Sequence, residues 1–599
     1  MKFKKILAIA LTTCIVSLSF SSLFQASAQI AEAQSDIQTS QSPTAEIAQK
    51  QFLINNRDDF SRFMVHSEYW TSDYEIVLTR NINMSGEKFR PIGEFSGKFD
   101  GGGHTISNFW VQDKHESVKS FKFAFIKTLS SSAEFKNVTF NNYNIEDKGA
   151  PGVLPKSYTA AGFILVNYGS ISGVNFTNSS AFSINNTNKI GEVAGFVLTN
   201  EKEGVITNCS IDMKSRESNI NAGFVGKNSG FISESIANVD VTNSLYVGGF
   251  CGMNSGVISK CQSKGNINTE TKYKTMICGG FVGVNAGFID SCTSTGSLQV
   301  KKVNSDGAKI AAIIAGVVLF VTVIVVMFVV TPAIWGVLGG AVLLGAGGIG
   351  TAAATASIPI GLKIAAIGLS MAISMAAETI VIGATVGGVA ATNEIGGAHV
   401  GGFCGDNLGA ISSCESYGSA TTNTDICGGF VGTNSGGIEK CIATGKATSK
   451  TKTSKVFVGG FVAENIAGKI SDCVASGGAD SRSSTGQAKA GGFVGVNKAS
   501  IVSSKASGYV YLSSGVGRTD NGCGGFVGKN DKDGNIDSCY AECKVETTNK
   551  KKGGGFVGEA ENKSTITNSK CQSMLVTKKG TTNKIDFCQN KSKKAVIKN

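Results

Sequence analysis

A short pattern of apolar and turn-forming residues repeats along most of the chain. The unit at 278–292 reads CGGFVGVNAGFIDSC, with a Gly-Gly pair, a Phe-Val pair, an asparagine and a later isoleucine. Eleven phenylalanines, each preceded by glycine, occupy equivalent positions: Phe163, Phe196, Phe224, Phe250, Phe281, Phe403, Phe430, Phe461, Phe493, Phe526 and Phe556. Apart from one gap, neighbours in this series are 26 to 33 residues apart. Repetition at such a period is typical of solenoids and propellers.

Within one unit, the pattern predicts two or three short strands joined by tight corners. The Phe-Val pair and the isoleucine favour strands, and the asparagine and glycine between them are turn residues that accept left-handed backbone angles. No single unit can bury its apolar face, whereas stacked units can. Asparagine lies four residues after ten of the phenylalanines, so stacked units would align these side chains in one hydrogen-bonded column. The predicted fold is an all-β, right-handed parallel β-helix, or solenoid.

The repeats are flanked by segments of different composition. We expect a disordered leader at 29–51, irregular N-terminal capping coils of the β-helix at 52–160, repeats at 161–302 and 396–570, and a basic C-terminal tail at 571–599. The capping region contains P-I-G at 91–93 and F-D-G-G-G-H-T-I-S-N at 99–108.

These units resemble the GLUG-motif repeats of bacterial secreted and cell-surface proteins, and the 91–108 segment is similar to the start of such regions. The resemblance covers roughly residues 74–302 and 396–570. It implies a β-helix at the cell surface or in secreted form, including adhesins. Since such repeats carry many roles, the resemblance implies no activity.

One interruption separates Phe281 from Phe403. Residues 310–362 contain no charged side chain and no histidine, and a membrane span needs about 20 apolar residues. We therefore predict that 303–395 is an α-helical hydrophobic hairpin or helical insert that enters a membrane. Small residues at four-residue spacing let helices approach closely in lipid. The predicted zipper residues are Gly336, Gly340, Gly348, Ala352, Ala356, Gly383 and Gly387.

If both repeat blocks form one stack, both ends of the insert lie on one side of the membrane. The number of complete spans would then be even. The alternative is a hairpin packed against the solenoid wall in a soluble protein.

The first residues predict export. Three lysines at positions 2, 4 and 5 precede an apolar stretch, and A-S-A at 26–28 has the small-x-small pattern of a cleavage site. We predict a signal peptide at 1–28; an uncleaved anchor is the alternative. The net charge is +12, and the lysine-rich C-terminus either contacts an anionic polymer or lipid or is a solvated, frayed end.

Fifteen cysteines follow the predicted signal peptide. Five of them, Cys261, Cys292, Cys414, Cys441 and Cys473, would stack in consecutive coils once the insert is looped out. Stacked Cα atoms about 4.8 Å apart are within disulfide reach, so the column forms either rung-to-rung disulfides or an inward ladder of thiols.

The sequence contains no pattern that predicts catalysis. It has four histidines, no C-x-x-C, no H-E-x-x-H and no phosphate-loop motif. We therefore predict no enzyme activity and no cofactor or metal. Aromatic and basic residues do not interleave as nucleic-acid binding requires, so nucleic acid is not an expected partner.

Two functions fit these features. The first is a secreted, non-enzymatic solenoid that inserts into a target membrane through its zipper and oligomerises there as a pore-forming or contact-dependent toxin-like effector. The second is a surface adhesin that the same segment anchors in the producer's membrane and that binds a host or neighbouring cell. A third alternative is a polysaccharide-acting β-helix enzyme, which the lack of paired carboxylates disfavours.

Overall fold

The repeats fold into one parallel β-solenoid. The structure is a computed structural model that describes residues 50–113, 120–147, 157–183, 191–215, 221–241, 246–271, 276–302, 398–451, 455–483, 487–514, 521–548, 553–577, 580–582 and 585–598. The predicted signal peptide, nearly all of the leader and the 303–395 insert lie outside the described residues. Apart from one α-helix and one 3₁₀ helix, every regular element of the described chain is a strand, so the predicted β-solenoid is confirmed.

A regular coil contains five short strands in three sheets. In the coil of Phe281, Met276–Gly279 belongs to sheet 1 and Val282–Asn285 to sheet 2. Phe288–Asp290, Thr293–Ser294 and Leu298–Lys302 follow as three strands of sheet 3. Each strand pairs in parallel with its counterpart in the neighbouring coils. The coil therefore stacks through the backbone along its whole length.

The strands of sheet 1 are Ser120–Phe123, Ser157–Ala161 and Gly191–Ala194 near the N-terminus, then Tyr246–Gly248, Met276–Gly279, Ala398–Gly401, Ile426–Gly428, Lys455–Gly459, Gln487–Gly491 and Gly522–Gly524. Isolated bridges through Ala222 connect the two groups. The strands of sheet 2 are Ile92–Phe95, Ile126–Leu129, Ile164–Asn167, Val197–Asn200, Val225–Asn228, Cys251–Asn254, Val282–Asn285, Cys404–Asn407, Val431–Asn434, Val462–Asn465, Val494–Asn497, Val527–Asn530, Val557–Ala560 and Cys588–Lys591.

Sheet 3 contains the longest strands. Its strands are Lys50–Ile54, Tyr74–Leu78, Ile82–Phe89, Lys98–Asp113, Glu134–Asp147, Ser170–Ser183, Val205–Thr207, Ser210–Ser215, Phe231–Ser233, Ile236–Val239, Val257–Ser259, Gln262–Ser263, Ile267–Thr271, Phe288–Asp290, Thr293–Ser294, Leu298–Lys302, Ala410–Ser412, Glu415–Ser416, Ala420–Thr422, Gly437–Glu439, Ile442–Ala443, Ala447–Thr451, Lys469–Ser471, Val474–Ala475, Ala479–Ser483, Ser500–Val502, Lys505–Ser514, Asn535–Asp537, Tyr540–Thr547, Thr565–Thr567, Lys570–Cys571, Met574–Thr577, Gly580–Thr582 and Val596–Lys598.

Two columns of identical side chains run through the core. From Phe196 to Phe587 the repeat phenylalanines stack with ring centroids 4.6–4.9 Å apart. The asparagines form the predicted ladder, in which each side-chain amide donates to the next at 2.7–2.9 Å, from Asn167 to Asn530. Because these polar groups are buried, the ladder satisfies donors and acceptors that would otherwise destabilise the core.

The Gly-Gly pair before eight of the phenylalanines, from Phe250 onward, allows a sharp turn between sheet 1 and sheet 2. A Cβ at Gly279 would lie 1.9 Å from the carbonyl oxygen of Val282, and a Cβ at Gly280 would lie 2.1 Å from that of Gly402 in the next coil. No side chain fits at either distance, so this coil requires glycine at both positions. In the three earlier coils, alanine takes the first position, at Ala161, Ala194 and Ala222.

The left-handed residue of the coil is neither the asparagine nor the glycine of the expected turn. These two residues do not have positive φ, whereas a residue ten to twelve positions after each repeat phenylalanine does, at φ values near +50°. This residue directly follows the first strand of sheet 3, as at Ser291, Ser413 and Lys440. The asparagine contributes its side chain to the ladder and not a left-handed backbone to the turn.

A short helix that the sequence did not predict covers the N-terminal end. The helix Arg57–Val65 is capped by Asn56, whose side chain accepts from the backbone N–H of Asp59 at 3.0 Å, and a 3₁₀ turn, Ser67–Trp70, follows. Phe60 and Phe63 of the helix are buried against rings of the first coils. The helix therefore closes the apolar core at this end.

The C-terminal segment that was predicted as a basic tail contains one more coil. Cys588–Lys591 pairs with Val557–Ala560, Val596–Lys598 pairs with Thr565–Thr567, and Met574–Thr577 forms an antiparallel hairpin with Gly580–Thr582. Phe587 stacks on Phe556 at 4.8 Å. Sequence comparison missed this unit because aspartate precedes Phe587 where the other units have glycine.

Candidate functional sites

The solenoid continues in register across the interruption. Phe281 stacks on Phe403 with centroids 4.8 Å apart, and the Asn285 amide donates to Asn407 at 2.9 Å. Both values match those between coils that no insert separates. The 303–397 segment is therefore an addition to one junction of a continuous stack.

That junction connects the last strand of sheet 3 with the next strand of sheet 1. In the preceding coil four residues, 272–275, bridge it, and 452–454 bridge it further on. Lys302 lies beside Thr271 and Ala398 beside Met276. The two ends of the insert are thus about as far apart as the ends of a four-residue loop, at most about 18 Å.

The predicted zipper residues cannot be placed. Gly336, Gly340, Gly348, Ala352, Ala356, Gly383 and Gly387 all lie outside the described residues. In the part of the chain that the structure describes, no helix combines the length and apolar character needed to cross a bilayer.

The five cysteines of the predicted column do lie in consecutive coils. The backbone N–H of Cys261 donates to Sγ of Cys292 at 3.3 Å, and the same contact links Cys292 to Cys414, Cys414 to Cys441 and Cys441 to Cys473 at 3.3–3.4 Å. Each thiol donates to the carbonyl oxygen two residues earlier at 3.0–3.1 Å. All fifteen described cysteines are free thiols.

Serine takes the same position at the ends of this column. Ser235 occupies the column position one coil before Cys261, and Ser504 occupies it one coil after Cys473. The backbone N–H of Cys209 donates to the Ser235 hydroxyl, and that of Cys473 donates to the Ser504 hydroxyl, both at 3.2 Å. Each hydroxyl donates to the carbonyl two residues earlier, as the thiols do. The position therefore requires a small side chain that donates and accepts one hydrogen bond.

Burial and hydrogen bonds between neighbouring thiols set the pKa values of the cysteines in this column. It raises the pKa of Cys209 and Cys539, further along the same column, to about 12. Burial also raises the pKa of Cys261, Cys414 and Cys473. For Cys292 and Cys441 burial acts in the same direction, but hydrogen bonds from the adjacent thiols outweigh it and lower the pKa.

A buried His–Asp pair lies at the turn between sheets 1 and 2, in the coil that directly follows the insert. Nδ1 of His399 is 2.7 Å from Oδ1 of Asp406, and Nε2 of His399 is buried without a hydrogen-bond partner in the described residues. The hydroxyl of Thr433 in the next coil donates to Asp406 at 2.5 Å. Burial disfavours the imidazolium, but the Asp406 carboxylate outweighs burial and raises the pKa of His399.

Two lysines further along the stack pair with carboxylates. The ammonium of Lys489, in sheet 1 and with a side chain 4% exposed, contacts Glu559, and Lys498, just after the sheet 2 strand Val494–Asn497, contacts Glu464 at 2.7 Å. Ile277 and Val284 occupy the positions of Lys489 and Glu559 in the coil of Phe281. Sequence reasoning missed these pairs because each joins residues that the turn or the stacking brings together. The only signal was a charged residue at a position that is apolar in other units.

Outside these pairs, the described residues hold no group of three or more histidine, cysteine, aspartate or glutamate side chains placed to bind a metal ion. No protein-family model matches the chain, and no curated protein matches it significantly.

Proposed function

We propose that this protein is an exported, non-enzymatic β-solenoid that associates with a membrane through residues 303–395. The insert would be an α-helical hairpin whose glycine zipper supports insertion and self-association, as in a pore-forming or toxin-like effector. The single observation that carries the proposal is the junction: about 95 residues, including an uncharged tract of 53, stand where four residues suffice. The stack does not need them.

The geometry of the junction limits how the insert crosses a bilayer. Its two ends are at most about 18 Å apart, less than the hydrocarbon thickness of about 30 Å. Because both ends also belong to one continuous stack, they lie on the same side of the membrane. An even number of complete spans, most simply one hairpin, follows.

The proposal is tested by dye release from liposomes. The structure defines the deletion: residues 303–397 are replaced by the four residues of 272–275, which bridge the same junction one coil earlier. We expect the intact mature protein to release dye and the loop-replaced protein, with an unchanged circular dichroism spectrum, to release none. Absence of leakage from the intact protein from about pH 4.5 to pH 8 would contradict insertion.

A second set of variants tests whether the small residues of the predicted zipper are needed for dye release. Replacing Gly340 and Gly348 by leucine would prevent close helix approach, and we expect at least a tenfold loss of dye release. Leu344→Ile is the matched control, since it lies between them and breaks the small-residue spacing already. Undiminished dye release by the double glycine variant would show that the tract acts through hydrophobicity alone, and equal loss in the control would show that the effect is not specific to the small residues.

A membrane-anchored adhesin is the second candidate. The outward positions of sheet 3 carry polar side chains in register, such as Gln299, Thr421 and Thr448, and the resemblance to GLUG-type surface proteins favours this role. Cell fractionation separates the two candidates. Full retention in the producer's membranes supports the adhesin, whereas release as free protein, cleaved after residue 28, supports the effector.

A further inference from the structure

We propose that the C-terminal end of the solenoid is a docking surface for an anionic lipid bilayer. The surface consists of six exposed lysines, here called the basic end: Lys563, Lys570, Lys591, Lys593, Lys594 and Lys598. It would add a membrane contact that does not depend on the insert of the proposed function.

The folded last coil brings these lysines together. The backbone N–H of Lys563 donates to the carbonyl of Lys594 at 3.1 Å, so two lysines in adjacent coils share one corner. Lys591 and Lys593 precede this corner in the same coil, and Lys598 lies in register beside Thr567. The basic end is thus part of the solenoid's ordered surface, where its charges act together.

The basic end lacks the neutralising partners that several lysines of the preceding coils have. In the preceding coils, lysines pair with carboxylates, as Lys446 with Asp480 at 3.0 Å and Lys529 with Glu561 at 3.0 Å. None of the six lysines makes an ion pair within the described residues, and Asp586 is the one acid between Lys563 and Lys598 in that part of the chain. The end therefore presents uncompensated positive charge.

Among the described residues, the strands of the last coil pair on one side only. Cys588–Lys591 and Val596–Lys598 each pair with an earlier coil on one side, and no described strand lies on the other. Phe587 is half-buried, whereas the phenylalanines of the preceding coils are fully buried. An open edge bearing lysines repels a like edge and discourages strand pairing. A second copy docking through the same end is therefore disfavoured.

An extended anionic surface fits the basic end better than a single small anion. The described residues of the last coil include no buried, unpartnered polar side chain that would mark a pocket for one anion. Diffuse positive charge instead attracts lipid headgroups at about fivefold in affinity for each lysine near the bilayer. Three lysines therefore contribute roughly 100-fold.

The test is co-sedimentation of the full mature protein with vesicles. One set contains about 30% phosphatidylglycerol and the other only phosphatidylcholine. We expect K591Q/K593Q/K594Q to bind the anionic vesicles roughly 100-fold more weakly than wild type and the neutral vesicles equally. The difference should vanish near 0.5 M salt, where the screening length falls to a few ångströms.

The matched control is K264Q/K450Q/K455Q, which removes the same charge from exposed lysines in the middle coils. We expect it to bind like wild type. Equal weakening by both triple variants would mean that net charge alone acts, and an unchanged affinity of K591Q/K593Q/K594Q would overturn the proposal. Loss of affinity for duplex DNA without loss for vesicles would also overturn it.

Failure of this proposal is distinguishable from failure of the proposed function. Dye release by the insert is measured separately, with the Gly340 and Gly348 variants. If the basic end does not bind lipid, those variants still lose dye release. If the insert does not enter the bilayer, the salt-sensitive binding through the lysines remains.

Discussion

The N-terminal coils and the repeat coils fill the same kind of core in two different ways. In the N-terminal region rings meet at varied angles, such as 89° between Phe60 and Phe89 and 55° between Phe109 and Phe140. Between Phe403 and Phe587 successive rings lie within 10° of parallel. Rings packed at varied angles fill the end that the helix covers, whereas parallel rings are expected where identical units stack on one another.

The asparagine ladder also distinguishes the repeat coils from the N-terminal coils. Asn167, its first member, lies beside Leu129, and Leu129 lies beside Phe95. At the other end Asn530 lies beside Ala560. A buried amide is stabilising only where a neighbour completes its hydrogen bonds, so the column changes to apolar residues where the repeat stops.

The largest effect is expected at the N-terminal closure. Phe63 is fully buried against Phe95 and Phe99, and Phe63→Ala should lower the free energy of unfolding by about 3–5 kcal/mol. Hydrogen exchange in the first coils and guanidinium unfolding measure it. Val65→Ala, at a residue 68% exposed on the same helix, is the control. Similar losses in both would mean that the helix does not close the core.

In the repeats, substitution in the Gly-Gly turn should have the next largest effect on the free energy of unfolding. A Cβ at Gly428 would lie 1.8 Å from the Val431 carbonyl oxygen, whereas a Cβ at Gly437 of the same coil meets nothing within 4 Å. We expect Gly428→Ala to cost about 3 kcal/mol and Gly437→Ala to change stability by less than about 1 kcal/mol. Equal unfolding midpoints for the two variants would refute the close approach.

The ladder should respond to loss of one amide. Asn434 accepts from Asn407 at 2.8 Å and donates to Asn465 at 2.9 Å, so Asn434→Ala leaves two buried groups unpaired. The expected cost is about 2 kcal/mol or more. Asn268→Ala, at an exposed site, should cost less than about 0.5 kcal/mol. A neutral Asn434→Ala would show that the ladder contributes nothing to stability.

The cysteine column should tolerate serine but not valine. Cys441 donates to the Glu439 carbonyl at 3.1 Å and accepts from the Cys414 N–H at 3.4 Å. Cys441→Ser keeps both bonds and should cost less than about 1 kcal/mol, while Cys441→Val should cost about 1–2 kcal/mol. A large loss in the serine variant, matched by destabilisation of wild type under reductant, would instead support rung-to-rung disulfides.

The smallest effect is expected from the His399–Asp406 pair. Because the folded state raises the pKa of His399 above its usual 6.5, protonated His399 contributes stability at low pH, and this contribution is lost as pH rises through the folded pKa. Glu464 and Asp425 add to the shift in the same direction. The melting temperature of His399→Gln should fall further below wild type at about pH 5.5 than at about pH 8.5. The opposite order would mean that His399 is held neutral.

Much of the solenoid follows from spacing alone. A repeated Phe, Asn and Ile at a period near 30 residues requires stacking, because no unit buries these side chains by itself. The phenylalanine and asparagine columns were therefore predictable, down to the ten asparagines that form the ladder. The cysteine column was also predictable, because cysteine lies eleven or twelve residues after phenylalanine in five successive units.

Other features depend on contacts that the repeat pattern does not contain. Three features depart from the local motif: the helix that closes the N-terminal end, the left-handed residue before each cysteine of the column, and the coil of Phe587. The His399–Asp406 and Lys489–Glu559 pairs join residues 7 and 70 positions apart. Neither spacing is a repeat period, so only the turn and the stacked coils bring these groups together.

The sequence by itself determined that the chain stacks into coils and which side chains form the columns, since periodicity places equivalent residues above one another. The tertiary structure decided which thiols and amides share hydrogen bonds, where charges pair, and that the long insert leaves and rejoins one junction. Those properties depend on distances between coils, and a distance between coils is fixed by backbone pairing that no single unit encodes.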